Sequence, residues 1–346
     1  MSESNHIPVF YEGQDDLIEI LATSMASVCY TTKSFIDFYI LDCGICDFNK
    51  RQLENMKEKF SNFSIEFIPV DLAPFKGLRG WGPNMDSIDA YARLLIPDLK
   101  PDLKKVIYMD TDIIALGDIQ KLYDVDLGDY PYAATPELGC DRKIYNNCLN
   151  NLGISPEHIY PSAGMLVLNL EKIQSSKDLI KVCQDYNNKL IVYNEEIFSI
   201  TFGCNNYKRL DLRYNMADRI NRIKDINAPE ITDSYVEEEW KHIILQHLTP
   251  TKPWKYLYTE HNKPVRNSWA FWYFAKMTPF YEGMLHRYFW FASSAIVFSA
   301  KQIQSVKKNR KDVSFFGLPL LTIKTKGNKN IYKLFGLIPF LKIMEK

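Results

Sequence analysis

Residues 104–118 constrain this chain most: a short apolar run stops at two carboxylates one residue apart. Val106, Ile107, Tyr108 and Met109 are β-branched, aromatic or long apolar residues with no Gly or Pro among them. The run is too short for a free-standing helix and shows no polar alternation, so it predicts a central strand buried on both faces. At its carboxyl end stand Asp110, Thr111 and Asp112. Paired carboxylates are costly to desolvate unless a cation lies between them, and their oxygens suit hard ions such as manganese or magnesium. Asp110 and Asp112 therefore read as a metal site. The competing reading is chance, since Asp124 and Asp126 have the same spacing, but that pair follows no buried strand.

Around this run the chain alternates strand and helix signals. Residues 7–11 predict a first strand, 17–28 a helix with apolar positions at helical spacing, 38–41 a second strand, 49–60 an amphipathic helix and 65–70 a third strand. That order favours a parallel, doubly wound sheet. Residues 75–83 mix turn residues with aromatic and basic groups, the composition of an active-site loop. A helix over 87–96 would carry Tyr91 and Arg93. Strands are expected at 132–135 and 165–169, joined by a polar connection over 137–160, with helices at 177–189 and 195–202 and a strand at 241–246 ending in His247. Ligands of open α/β sheets bind beyond the carboxyl ends of the strands. The first strand's exit at residues 11–16 and the acidic pair should thus line one crevice, sized for a nucleotide. His247 and Lys252 share the turn after the last strand, where a merely hydrogen-bonded structural imidazole is the alternative.

The C-terminal part differs in character. Residues 301–346 carry eleven Lys or Arg against Asp312 and Glu345, so this tail is +9 and the rest of the neutral chain −9. Such asymmetry implies an anionic partner. The basic residues alternate with aliphatics rather than base-stacking aromatics, which favours an anionic membrane surface over nucleic acid. Aromatics are dense from Trp269 to Ala300, yet the uncharged stretch between Arg287 and Lys301 is far shorter than the roughly 20 residues that span a bilayer. An interfacial helix and packing on the main domain are the two readings left. Residues 316–324 and 335–343 form a short repeat that predicts paired strands or an interfacial hairpin. The expected division is 1–262 for a catalytic domain and 263–346 for an aromatic, basic extension. Seven cysteines without regular spacing predict free thiols in a reducing compartment, with Cys43 and Cys46 packed rather than redox-active. The first residues lack a signal core, so the expectation is a cytoplasmic protein, peripheral on the inner face of the cytoplasmic membrane.

Taken in order, Ile7-Pro8-Val9-Phe10-Tyr11, Tyr91-Ala92-Arg93-Leu94, Tyr108-Met109-Asp110-Thr111-Asp112, Ser162-Ala163-Gly164 with its apolar continuation, and His247 through Lys252-Pro253-Trp254 resemble the family 8 glycosyltransferases. These are retaining GT-A enzymes that include lipopolysaccharide galactosyl- and glucosyltransferases. The resemblance implies a Rossmann-like mixed α/β sheet flanked by helices, with a small α/β C-terminal extension. It implies transfer of a hexose, galactose or glucose favoured, from a UDP-sugar to a glycan or lipid-linked saccharide in bacterial lipopolysaccharide or surface-polysaccharide synthesis. Manganese or magnesium would be bound by Asp110, Asp112 and His247, with Lys252 on the diphosphate. Tyr11, Gln14, Asp16, Arg93, Thr111, Ser162 and Ala163 would line the donor, and Asn194, Glu195 and Arg93 would act at the sugar.

Several positions depart from the family pattern. Gln14, Asp16 and Leu17 stand where the first strand's exit usually carries Asp, Asn and Tyr, which leaves Tyr11 to stack on uracil. Ser162 replaces an Asn and reaches less far. Asn194-Glu195 replaces an Asp-Gln pair, and the turn over 247–252 is one residue short and lacks its Gly. These changes imply either a different donor sugar or a catalytically weak, even silent, nucleotide-sugar binder. A carboxylate at Glu195 could form a glycosyl-enzyme intermediate or simply hydrogen-bond a sugar hydroxyl.

Overall fold

Strand Lys105–Met109 occupies the middle of a seven-stranded sheet, and Val106, Ile107, Tyr108 and Met109 are all 0% exposed. Side chains leave a strand on alternate faces, so Val106 and Tyr108 enter one apolar core while Ile107 and Met109 enter the other. The strand buried on both faces is present as expected. The structure, a computed structural model, describes residues 6–80, 87–137, 150–155, 157–187, 189, 194–218, 228–255, 265–288, 310–315, 318–326, 329–334 and 338–344.

The main sheet contains β1 (His6–Gly13), β2 (Phe35–Asp42), β3 (Phe63–Pro69), β4 (Lys105–Met109), β6 (Tyr132–Ala134), β7 (Met165–Asn169) and β8 (Lys208–Arg209). A three-stranded sheet contains β5 (Ile113–Ala115), β9 (Met216–Ala217) and β10 (Leu245–His247). The spatial order β3-β2-β1-β4-β7-β6-β8 is parallel from β3 to β4, and β7 is antiparallel to both its neighbours. This is the expected mixed, Rossmann-like α/β sheet flanked by helices. The helix Ile18–Thr31 buries Leu21, Met25 and Val28 in the same core as Ile7, Val9 and Tyr11 of β1. Each such side chain contributes roughly 1.5–3 kcal/mol relative to exposure.

Two segments differ from expectation. The stretch read as a helix over 87–96 is a 3-10 helix, Asp89–Leu95, followed by one α turn, Ile96–Leu99. Pro97 has no N–H to offer the Arg93 carbonyl, which accepts from Ile96 instead, and this tightens the turn that carries Arg93. Before His247, the strand expected over 241–246 is shorter: Lys241 ends the helix Asp233–Lys241, and 242–244 are not strand. Thr232 caps that helix by accepting from Tyr235 N, Val236 and Trp240 bury its inner face, and β10 starts only at Leu245.

The chain separates into the units Met1–Met284 and Leu285–Lys346. The first therefore extends past residue 262 and includes the aromatic helix Ser268–Ala275. Ala270, Phe271, Phe274 and Ala275 of that helix are buried, and Tyr30 meets Tyr273 and Phe274 edge-on. The second unit contains β11 (Arg310–Phe315), β12 (Leu318–Lys326), β13 (Lys329–Leu334) and β14 (Ile338–Met344) as an antiparallel meander, preceded by the end of a helix over 281–288. The sequence repeat supplies β12 and β14. Their partners shift register after Val313 and Tyr332, opposite Pro319 and Pro339, which lack a ladder donor. Trp81 to Pro83, most of the 137–160 connection, and residues 289–309 with Lys301, Lys307 and Lys308 lie outside the described residues.

Candidate active site

Strand alternation carries Asp110 to the side of the sheet on which Tyr108 lies. The Tyr108 hydroxyl donates to Asp110 Oδ1 at 2.9 Å, and Arg93 Nη2 reaches the same oxygen at 3.0 Å. Asp110 N donates to Gly164 O at 2.8 Å, and Ile113 N donates back to Asp110 O at 3.1 Å, closing a tight turn that holds Asp112 beside Asp110. The antiparallel pairing of β5 with β10 sets Ile113 opposite His247 and so delivers the imidazole. His247 Nε2 lies 3.1 Å from Asp112 Oδ1 and 3.9 Å from Asp110 Oδ2, and one ligand atom from each of the three residues lies within 4.8 Å of the others. Lys252 Nζ pairs with Asp112 Oδ2.

One imidazole nitrogen and two carboxylates form a donor set suited to a divalent ion of the manganese or magnesium kind. Gly164 agrees with this. A Cβ built there would fall 2.5 Å from His247 Cε1 and 3.1 Å from Asp110 Oδ2, so glycine keeps the space before the triad clear. Burial alone would raise the Asp112 carboxyl, but His247 and Lys252 outweigh it and hold the group well below the usual carboxylate range. Burial would lower His247, and Asp112 reverses this, leaving the imidazole raised. An ion bound here would compete with that imidazole proton.

Arg93, 6% exposed, is a strut rather than a surface cation. Its Nε donates to Ala90 O at 3.0 Å, Nη1 donates to Ala163 O at 2.7 Å, and the guanidinium lies 4.3 Å over the Tyr108 ring. The other side of Ala163 is held by Glu195, in the first turn of the helix Asn194–Phe202, whose Oε1 accepts from Ala163 N at 3.3 Å. One short strip therefore presents Gly164 to the acidic triad and Ala163 to Glu195. Burial pushes the Glu195 carboxyl up to about 8, with Glu137 adding to the rise and Arg93 opposing it. Its neighbour Glu196 is wholly buried.

The other sequence-predicted positions divide. Thr111 is buried between the two aspartates. Ser162 is buried beside Ala163, and its Oγ accepts from Asn215 Nδ2 at 3.0 Å, which leaves its own proton to donate. Gln14 is half-buried and Asp16 exposed at the exit of β1; among the described residues no hydrogen bond links their side chains to the triad. Tyr11 is corrected. Its ring is 0% exposed, its hydroxyl lies 2.8 Å from Ser24 Oγ, and it packs near Phe38 in the core beneath the helix Ile18–Thr31. It offers no surface for stacking on a base. The side chain of Asn194 lies outside the described residues.

Sequence reasoning missed Glu12. In the β1 to β4 register Phe10 pairs with Tyr108, so the residue two beyond Phe10 falls on the side of Asp110. Burial pushes Glu12 up to about 7 against the pull of Arg93, with Asp110 and Asp89 adding to the rise. Sequence alone gave no signal for it, because β1 is apolar on both faces. It also missed Asn215, which no motif marks.

Known proteins share this architecture. General stress protein A of Bacillus subtilis (strain 168) is 30% identical over 154 residues, 44% of this chain and 51% of that protein. The chain spans about half the length of the curated relatives it matches first. Among solved structures, the galactosyltransferase LgtC in complex with donor and acceptor sugar analogues has a TM-score of 0.65 at 22% identity, covering 79% of this chain and 96% of its own. The bifunctional glycosyltransferase WbbM has a TM-score of 0.66 at 20% identity, covering 83% and 52%. At these identities the likeness is one of fold. The sequence profile of glycosyl transferase family 8 matches residues 8–258, nearly the whole of the first unit, and the chain belongs to that family.

Proposed function

We propose that this chain is a metal-dependent, retaining glycosyltransferase that moves a hexose, galactose or glucose favoured, from a UDP-sugar to a glycan or lipid-linked saccharide. The observation that carries the reading is the triad of Asp110, Asp112 and His247, with Gly164 clearing the space before it and Lys252 at its edge. Manganese or magnesium held by these three residues would supply Lewis-acid stabilisation to the diphosphate as its bond to the sugar breaks. Lys252 adds positive charge at the same place and exchanges Asp112 for a phosphate oxygen. Arg93 pairs with Asp110 and fixes the Ala163 carbonyl, so the strip between diphosphate and sugar stays in register.

On the sugar side, Ser162 offers a hydroxyl proton and Glu195 a carboxyl group. Glycosyl transfer passes through an oxocarbenium-like state, and growing positive charge at the anomeric carbon favours ionised Glu195. That carboxylate either accepts a hydrogen bond from the sugar or attacks the anomeric carbon as the bond to UDP breaks. Near-normal transfer by Glu195→Gln selects the first route, and a trapped adduct on the unaltered chain selects the second.

The +9 charge of residues 301–346 supports an anionic membrane surface as partner, consistent with a lipid-linked acceptor at the inner face of a bacterial cytoplasmic membrane and a role in lipopolysaccharide or surface-polysaccharide synthesis. Among the described residues no helix is long and apolar enough to cross a membrane. Burial of Tyr11 favours a second reading, a catalytically weak or silent nucleotide-sugar binder, because it withdraws the aromatic platform for the base. Release of UDP from UDP-galactose and UDP-glucose with manganese and an acceptor panel separates the two. The enzyme reading requires metal-dependent release that Asp112→Asn abolishes; binding without release across the panel selects the silent reading.

A further inference from the structure

The helix that carries Glu195 is pinned by a buried imidazole that belongs neither to the metal triad nor to the predicted donor site. His158 is 0% exposed, and its Nε2 lies 2.8 Å from Ser199 Oγ. Ser199 Oγ in turn donates to Glu195 O at 2.6 Å. A hydroxyl has one proton to give, so Ser199 must accept from His158, which puts the imidazole proton on Nε2. The other nitrogen, Nδ1, faces both Asn205 N, which donates to it at 3.0 Å, and Asn205 Oδ1 at 3.1 Å. Asn205 adopts the left-handed conformation, φ 57°, and its side-chain oxygen accepts from Ile159 N at 3.0 Å. A relay of hydrogen bonds therefore runs from the Asn205 amide through neutral His158 and the Ser199 hydroxyl to the Glu195 carbonyl.

A serine hydroxyl bonded to the carbonyl four residues back is common in helices. A fully buried imidazole locked behind it is not required for that bond. His158 also stands four residues before Ser162, on the segment that becomes the Ser162-Ala163-Gly164 strip. It thus ties together the two pieces of chain whose meeting point is the 3.3 Å contact of Glu195 Oε1 with Ala163 N.

We propose that His158 is a positioning residue for Glu195: acting through Ser199, it fixes the first turn of the Glu195 helix and so sets the carboxyl group against the Ala163 peptide. The proposal rests on the reading of Glu195 as the group beside the transferred sugar.

The test is steady-state transfer by the full chain with His158→Leu, His158→Gln, Ser199→Ala and Glu195→Ala, and with His158→Leu combined with Glu195→Ala. Misplacing a catalytic group by about 1 Å can cost about a hundredfold, so His158→Leu should lower kcat by about tenfold to a hundredfold while the donor KM stays within about twofold. Ser199→Ala should reproduce that loss. His158→Gln, whose amide can still donate to Ser199, should recover most of kcat. In the Glu195→Ala background, His158→Leu should add less than about twofold, because a residue acting through another is silent once that other is gone. Fully multiplicative losses in the double variant, or unchanged kcat in both His158→Leu and Ser199→Ala, overturn the proposal. Wild-type kcat in Glu195→Ala would instead overturn the reading of Glu195. Should His158→Leu fail to fold, the same comparison made with Ser199→Ala, alone and with Glu195→Ala, decides the outcome.

Discussion

Gly164 lies so close to His247 that a Cβ built on it would stand 2.5 Å from Cε1 and 2.9 Å from Nδ1 of the imidazole. Gly164→Ala must therefore push His247 off Asp112 or bend the strip that Arg93 and Glu195 hold. Displacing a ligand or its support typically weakens metal binding by about tenfold to a hundredfold. Calorimetric titration with manganese should show a loss of that order. Unchanged affinity would mean that the clearance serves something other than an ion.

Arg93 donates to Asp110, Ala90 and Ala163 from one planar fork, almost wholly buried. A lysine has a single ammonium and cannot span three acceptors. Arg93→Lys should destabilise the fold by about 2–4 kcal/mol in urea unfolding, because buried acceptors lose their donors although the charge is kept. Lys252→Gln, at the more open edge of the triad, should cost less than about 1 kcal/mol. Equal losses for the two variants would contradict the difference in their roles.

The pH dependence of stability follows from Glu195, whose carboxyl is raised to about 8. In the unfolded chain the group titrates near about 4.3. Between these values the folded state holds the proton more often than the unfolded one, so the group's contribution, complete below the unfolded value, fades as pH rises through the folded value. Glu195→Gln has no such proton to lose. In metal-free buffer its Tm should gain several degrees on the unaltered protein between about pH 5 and about pH 9. A constant difference across that range would contradict the raised carboxyl.

Tyr11 marks where sequence reading went astray, and its hydroxyl gives a simple check. Tyr11→Phe removes the hydrogen bond to Ser24 at a cost of about 1 kcal/mol. Donor affinity, measured by calorimetry with UDP-galactose and manganese, should not change. A weakened donor would put the ring back beside the base.

The strand ending at Asp110 was legible because burial on both faces removes polar alternation, leaving an apolar run with an abrupt acidic end. His247 and Lys252 could be joined to it only through resemblance. Lys252 lies 140 residues from Asp112 in sequence, and nothing local announces that β10 pairs with β5. The orientation of Tyr11 and Glu12 was not legible, because β1 is apolar on both faces and its parity is set by neighbouring strands. The 3-10 turn at Arg93 had the apolar spacing of a helix, and only the missing Pro97 N–H tells them apart. The helix Ser268–Ala275 looked like part of the tail because its aromatics continue toward residue 300, yet Phe271 and Phe274 complete the first unit's core. His158 had no motif at all, since its role is carried by Ser199, 41 residues further on.

The central claim is that the acidic triad and a divalent ion together hold the diphosphate of a nucleotide sugar. It is tested most directly by thermal shift of the full chain with UDP-galactose and UDP-glucose, each with and without manganese, for the unaltered protein and Asp112→Asn. A ligand at about a hundred times its Kd stabilises the folded state by about 2.7 kcal/mol. The account predicts a rise in Tm of several degrees with at least one of these sugars only when manganese is present, and none for Asp112→Asn under any condition. A shift that is the same without manganese, or that persists in Asp112→Asn, would contradict it.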